Sequence, residues 1–266
     1  MYWREIVAEF LGTALLLFVG LSVVVFTFTH GSPAISMVPS ADLRRFMTVL
    51  LFSASATLII YSPIGRTSGG HINPVVTLAF LRLGKITAKG AASYMLAQFA
   101  GAATGAAAVA AMWGHRASRA RVGATVPGSG GIWPALGVET CATFLVITLI
   151  LSFVRRPRLL PFTAAAAGLL GVVLTYLTVP VSGGSANPAR SMGPALVGDT
   201  WADFWVYLLA PSVGALGAAT LFRHHVIPCG KLIHDAAYPC HFKNCLYSQN
   251  YQQESGPGQA RGTRRP

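Results

Sequence analysis

The sequence predicts an all-α membrane protein: six transmembrane helices plus two re-entrant half-helices, arranged as an inverted three-plus-three repeat. Three observations carry that reading. The 266 residues are 53% hydrophobic and only 11% charged, whereas a soluble domain carries about 25% charged residues, so most of the chain belongs in lipid. Six stretches approach the roughly 20 apolar residues that one bilayer crossing requires. Finally, Ser68-Gly69-Gly70-His71-Ile72-Asn73-Pro74-Val75 returns as Ser182-Gly183-Gly184-Ser185-Ala186-Asn187-Pro188-Ala189, with the asparagines 114 residues apart (187 − 73).

The first apolar run, Ile6–Phe28, is too long for a signal-peptide core and is followed by further spans, so it reads as a retained helix. The second, Phe46–Tyr61, is short, and its extension into Ser62-Pro63-Ile64-Gly65 is open. Next comes the first Asn-Pro segment, continuing over Val75–Leu83. Asparagine is a good helix cap and proline fits the first helical position, so each Asn-Pro marks a helix start. Ala91–Met112 is the third span, Pro134–Phe153 the fourth and Leu160–Val179 the fifth. The second Asn-Pro segment continues over Ala189–Val197 and precedes the sixth span, Phe204–Phe222. Each Asn-Pro helix is two or three turns long, enough for half a bilayer at about 1.5 Å per residue. Three spans per half is an odd number, so the second half enters the membrane from the opposite side. The half-helices therefore approach the midplane from opposite faces.

The duplication reaches further. Glu9-Phe10-Leu11-Gly12-Thr13 is echoed by Glu139-Thr140-Cys141-Ala142-Thr143, and Gln98-Phe99-Ala100-Gly101 by Pro211-Ser212-Val213-Gly214. The repeats cover about 1–115 and 130–223, within one membrane domain over 1–223. Gly101, Gly105, Gly168, Gly171, Gly214 and Gly217 allow close helix packing. From His224 onward a polar tail over 224–266 takes over, its last dozen residues expected to be disordered. Placing both termini in the cytoplasm of a plasma (cell inner) membrane puts Arg4, Arg66, Arg82, Lys85, Lys89, Arg155, Arg156, Arg158 and Arg223 inside. Arg44, Arg45, Arg116, Arg119 and Arg121 then fall outside, which weakens that bias without reversing it. The net charge of +12 comes from scattered cations with no aromatic-interleaved patch, which argues against nucleic acid.

Two half-helix N-termini that meet place two positive dipole ends at the membrane centre. The carboxamides of Asn73 and Asn187 would cap them and offer N–H donors to a lumen. The preceding turns, with Gly69, Gly70 and His71 in one copy and Gly183 and Ser185 in the other, would present backbone carbonyls as acceptors. Such a row suits a small neutral molecule that both donates and accepts, and the positive ends repel cations and interrupt a proton wire. Glu9 and Glu139 are intramembrane carboxylates, a position open to a proton relay. Arg190, in the first turn of the second half-helix, is expensive at that depth and reads as functional.

At these residues the chain resembles the aquaporin family, or major intrinsic proteins, and among them the prokaryotic water channels, over roughly Tyr2 to Arg223. The second signature, Asn187-Pro188-Ala189 followed by Arg190, is complete. The first departs, with Val75 where the family usually has alanine. The resemblance implies a pore in every subunit, usually a homotetramer, and passive passage of water and small neutral solutes such as glycerol, peroxide or urea. It implies that Glu9 and Glu139 brace the re-entrant loops, and that Arg190 belongs to a selectivity filter completed by Thr175, Gly184 and an aromatic residue on the second span. Counting back from Asn73 gives Ser53 or, with one extra residue in the turn, Phe52, which is preferred because an aromatic wall is expected. Water-selective members usually have histidine at the Thr175 position and glycerol conductors glycine. Ser191, Ala195, Phe204 and Trp205 follow the water-channel pattern instead. A glycerol or metalloid facilitator with water as a minor substrate is the alternative, and a secondary transporter or a scaffold with a vestigial pore lies behind it.

His71 is either loop-bracing or pore-lining. No phosphate loop, nucleophile elbow or intramembrane metal-ligand pair suggests an enzyme, and no cofactor is expected in the membrane domain. The tail's Cys229, Cys240, His241 and Cys245 are only loosely metal-like. A zinc or redox site there competes with a membrane-surface segment carrying reduced thiols.

Overall fold

A computed structural model describes residues 3–235 and 237–247. Among the described residues, eleven α-helices and two short 3₁₀ turns make up the regular structure, and there is no strand. In chain order the helices are α1 (Trp3–Phe28), α2 (Pro33–Met37), α3 (Ala41–Tyr61), α4 (Pro63–Ser68), α5 (Pro74–Arg82), α6 (Ala88–Trp113), α7 (His115–Arg119), α8 (Ile132–Val154), α9 (Thr163–Ser182), α10 (Pro188–Val197) and α11 (Phe204–Leu221). Among the described residues six segments are long and apolar enough to cross a membrane: α1, α3, α6, α8, α9 with its preceding turn from Leu160, and α11. The expected disorder of the final dozen residues lies outside the described residues.

Helix ends differ from the hydropathy reading where polar caps extend them. The second span begins at Ala41 rather than Phe46, because Ser40 accepts a hydrogen bond from the Leu43 N–H and starts the helix ahead of Arg44 and Arg45. Charged residues end an apolar run without ending a helix. Likewise Thr87 caps α6, which begins at Ala88, three residues before the apolar reading. The open turn after the second span is α4, since Ser62 closes α3 and caps the next helix through the Ile64 N–H.

Packing follows the duplication. α1 lies chiefly on α6 and α8 on α11, while α3 and α9 meet across the two halves. The half-helices cross over: α10 packs against α6, and α5 against α11. Small residues set these distances. A Cβ on Gly101 would lie 2.3 Å from the Phe10 carbonyl oxygen, and one on Gly214 would lie 2.4 Å from that of Thr140. These contacts are repeat-related, because Phe10 and Thr140 each follow their glutamate. Gly105 and Gly193 face backbone carbonyls of Ala14 and Ala102 just as closely. Outward-facing apolar side chains such as Leu58, Leu96, Leu169 and Leu177 remain exposed, as lipid-facing positions require.

Gly101→Val should force α1 and α6 apart, because its Cβ meets backbone that cannot yield. The expected loss is about 1–3 kcal/mol, read as a lower thermal unfolding midpoint in detergent. Gly137→Ala, with open space around its Cβ, should leave the midpoint unchanged.

Candidate functional site

The two Asn-Pro turns meet inside the bundle, and each is bent by the same device. Gly69 and Gly70, like Gly183 and Gly184, adopt positive φ, and the residues before the asparagines do so too, Ile72 at 38° and Ala186 at 49°. A left-handed β-branched residue such as Ile72 is strained, so something must hold it. Glu9 Oε1 accepts from the His71 N–H at 3.0 Å and Oε2 from the Ile72 N–H at 2.7 Å. In the other repeat Glu139 Oε1 accepts from the Ser185 N–H at 2.9 Å and Oε2 from the Ala186 N–H at 2.7 Å. Both glutamates are sealed from solvent, at 0% and 1% exposure. A buried carboxylate must be satisfied by donors, and two adjacent backbone amides do that here while fixing the turn.

The remaining acceptor capacity is filled differently. Gln98 Nε2 donates to Glu9 Oε2 at 2.6 Å, whereas Pro211, at the echoed position, has no amide, and the Ser182 hydroxyl donates to Glu139 Oε1 at 2.6 Å. Tyr94 and Tyr207 donate to the carbonyls of Ser68 and Ser182, at 2.9 and 2.6 Å. Sequence reasoning missed this tyrosine pair, although the repeat offset relates the two residues.

The asparagines stitch the halves together. Asn73 Oδ1 accepts from the Val75 N–H, and Asn187 Oδ1 from those of Ala189 and Arg190, which caps both half-helices at Pro74 and Pro188. Asn73 Nδ2 donates to the Ala186 carbonyl at 2.9 Å and Asn187 Nδ2 to the Ile72 carbonyl at 3.2 Å. An amide nitrogen carries two N–H groups, so one from each asparagine goes to the opposite repeat. The expected row of free carbonyls is shorter than the sequence suggested. The carbonyls of Ser68, Gly69, Ile72, Ser182 and Ala186 all accept protein donors.

The four filter candidates fall into two touching pairs. The Arg190 guanidinium carbon lies 5.7 Å from the centroid of the Phe52 ring, which fits against α1 because residue 20 is glycine. A Cβ on Gly184 would lie 2.8 Å from Thr175 Cγ2. Ser53 Oγ lies 3.7 Å from where a Cβ on Gly171 would sit, on α9, the helix that also carries Thr175. Arg190 is buried and its Nη1 donates to the Gly123 carbonyl at 2.8 Å. That partner was not foreseen. It lies in a 3₁₀ turn, Arg121–Gly123, whose three residues all have positive φ. Nearby, Thr125 donates to Ser191 Oγ at 2.7 Å, and Ser191 meets Ser185 Oγ at 2.6 Å. The connection from α7 to α8 thus covers the second turn.

His71 faces protein. Its Nε2 lies 2.8 Å from the Gly230 carbonyl, which can only accept, so Nε2 carries a proton. In the neutral ring Nδ1 then accepts from the Thr77 hydroxyl at 3.0 Å, and the ring stacks on Phe80.

In the tail the expected ligand set is corrected. Cys229, Cys240 and Cys245 converge, but the imidazole beside them belongs to His234. With Cys240 turned into the cluster, His241 Nε2 lies 3.8 Å from Glu5 Oε1.

The family model described as Major intrinsic protein matches residues 1–222, so the tail lies beyond it. The chain is 35% identical over 219 residues to Aquaporin NIP1-4 of Oryza sativa subsp. japonica, covering 82% of this chain and 75% of that protein. It is 36% identical over 232 residues to Glycerol uptake facilitator protein-like 6 of Lactiplantibacillus plantarum, covering 83% of this chain and 97% of the relative. Among solved structures, the aquaglyceroporin from Plasmodium falciparum superposes with a TM-score of 0.69 at 22% identity, over 84% of this chain and 96% of that one.

Glu9→Gln and Glu139→Gln each replace an acceptor oxygen by an N–H₂ that faces a backbone donor. An orphaned buried donor costs about 1–3 kcal/mol, so both variants should unfold at lower temperature in detergent. Unchanged midpoints would show that these bonds contribute nothing to holding the turns.

Proposed function

The chain belongs to the major intrinsic protein family of membrane channels, and from that premise we propose that it conducts water passively, together with small uncharged solutes such as glycerol, urea and peroxide. The observation that carries the reading is the pair of capped half-helices whose asparagines bond across the repeat boundary. Each carboxamide keeps a second N–H for a passing solute, and the carbonyls of Gly70 and His71 and of Gly183 to Ser185 flank it as acceptors. Two positive helix ends at this centre, with Arg190 beside Phe52, disfavour cations and break proton relay along a water file. Glu9 and Glu139 accept backbone donors throughout, which fits bracing better than proton transfer and favours a channel over a coupled transporter.

A second reading, a glycerol-type facilitator with water as the minor substrate, draws on one feature. Opposite Phe52 and Arg190 the filter would be formed by glycine and threonine, Gly184 and Thr175, where a bulkier pair would leave less room for carbon-bearing solutes. The relative named as a glycerol uptake facilitator supports that breadth. The proposal further places both termini in the cytoplasm of the plasma membrane, following the arginine distribution, and the subunits in a homotetramer, following the family resemblance.

Stopped-flow shrinkage of proteoliposomes tests the reading directly. Water permeability should rise above that of empty vesicles, stay linear in the osmotic gradient and ignore sodium and pH. No rise would overturn the proposal. Thr175→His should cut glycerol entry several-fold while preserving water flux, whereas glycerol flux far above water flux in the unaltered protein would favour the second reading.

A further inference from the structure

The tail packs on the membrane domain without regular structure of its own. From His224 to Tyr247 the described residues form no helix or strand, and a segment this small lacks the core to fix its own shape without a cross-link or a metal. Yet three thiols and one imidazole converge. The ligand atoms of Cys229, His234, Cys240 and Cys245 all lie within 4.8 Å of one another. Cys229 Sγ is 3.3 Å from both Cys240 Sγ and Cys245 Sγ, and Cys245 Sγ is 3.6 Å from His234 Nε2. A tetrahedral ion with metal–sulfur bonds of about 2.3 Å and metal–nitrogen bonds of about 2.0 Å separates its ligands by roughly 3.8 Å between sulfurs and 3.5 Å between sulfur and nitrogen. The cluster therefore needs only small shifts to close on an ion.

The chemistry of the donors narrows the ion. Three soft thiolates and an imidazole suit zinc and reject calcium or magnesium, which take oxygen. Four protein ligands leave no open position, the mark of a structural rather than a catalytic site. Three thiolates around a divalent ion leave a single net negative charge, and Lys85 and Lys231 lie close enough to interact electrostatically with the thiols.

What the cluster would hold is the cover of the first Asn-Pro turn. Between the ligands, the Gly230 carbonyl meets His71, the Leu232 N–H donates to the Gly69 carbonyl at 2.9 Å, and Lys231 Nζ donates to the carbonyls of Arg66 and Thr67 at 2.9 and 3.0 Å. Phe242 packs on His71 and Tyr94, the Lys243 N–H donates to the Lys85 carbonyl at 2.7 Å, and Asp235 pairs with Arg66 at 2.9 Å. As a result residues 68 to 72 are all buried, whereas Gly183, Ser185 and Ala186 of the second turn are only half-buried.

We propose that Cys229, His234, Cys240 and Cys245 bind one zinc-class divalent ion, and that this ion fastens the tail across the mouth of the pore carrying Gly69 to His71. The binding half of the proposal stands whatever solute the channel conducts.

Two measurements on the full-length protein in detergent test it, neither relying on transport. Elemental analysis should find about one zinc per chain, and cobalt added to the zinc-stripped protein should give the visible and near-ultraviolet bands of a tetrahedral thiolate site. Cys240→Ser and His234→Ala should lose most of the metal and His241→Ala should keep it. Absence of bound zinc together with no cobalt spectrum, or a disulfide within the cluster and no metal uptake after reduction, overturns the site. Chelation of the unaltered protein avoids the risk that a variant misfolds, and hydrogen exchange then reads the fastening. The Leu232 and Lys243 amides should exchange at least about tenfold faster without metal, while the amides of His71 and Ile72, held by Glu9, stay protected. Unchanged protection of Leu232 and Lys243 after metal loss overturns the fastening.

Discussion

Two carboxylates buried in a membrane domain hold this architecture at its centre. A re-entrant helix needs a tight turn at membrane depth, and such a turn leaves successive backbone N–H groups without partners where water is scarce. Glu9 and Glu139 take two such groups each, and in doing so keep Ile72 and Ala186 in a left-handed conformation those residues would otherwise leave. The strain is local, but its effect reaches the asparagines one residue on. Their carboxamides then cap the half-helices and bond across to the opposite turn.

The symmetry of that centre contrasts with how each turn is covered. The glutamates, the serine-tyrosine bonds and the glycines facing carbonyls recur in both halves. Beyond them the halves diverge, since Pro211 cannot donate as Gln98 does, and Ser182 supplies the missing hydrogen bond. The second turn is roofed by the connection from α7 to α8, which also gives Arg190 the Gly123 carbonyl. The first is roofed by a chain segment from the far end of the sequence. A duplicated core thus carries two unrelated covers, one within the matched family region and one beyond it.

Arg190 ties the second cover to the middle of the bundle. The guanidinium is buried between the Phe52 ring and the Gly123 carbonyl, so its position depends on α3 and on a strained, largely buried turn together. Phe52 in turn depends on the missing side chain at Gly20. A charge that deep is tolerable only when its surroundings fix and solvate it.

The sequence by itself determined the six spans, the two half-helices and their inversion, because hydropathy and the Asn-Pro cap are local signals with one physical meaning in lipid. It also singled out Glu9 and Glu139 as an acid repeated in two apolar runs, while their bracing role came from the family resemblance. Only the tertiary structure decided which imidazole joins the cysteines, that Ser53 faces α9 while Phe52 meets Arg190, and that the tail reaches back to Gly69 and His71. Those outcomes depend on the direction of individual side chains and on contacts between residues up to about 160 positions apart, such as His71 with Gly230. No periodicity records them, because the tail's backbone is irregular and the rotation of α3 is set by the helices that folding packs against it.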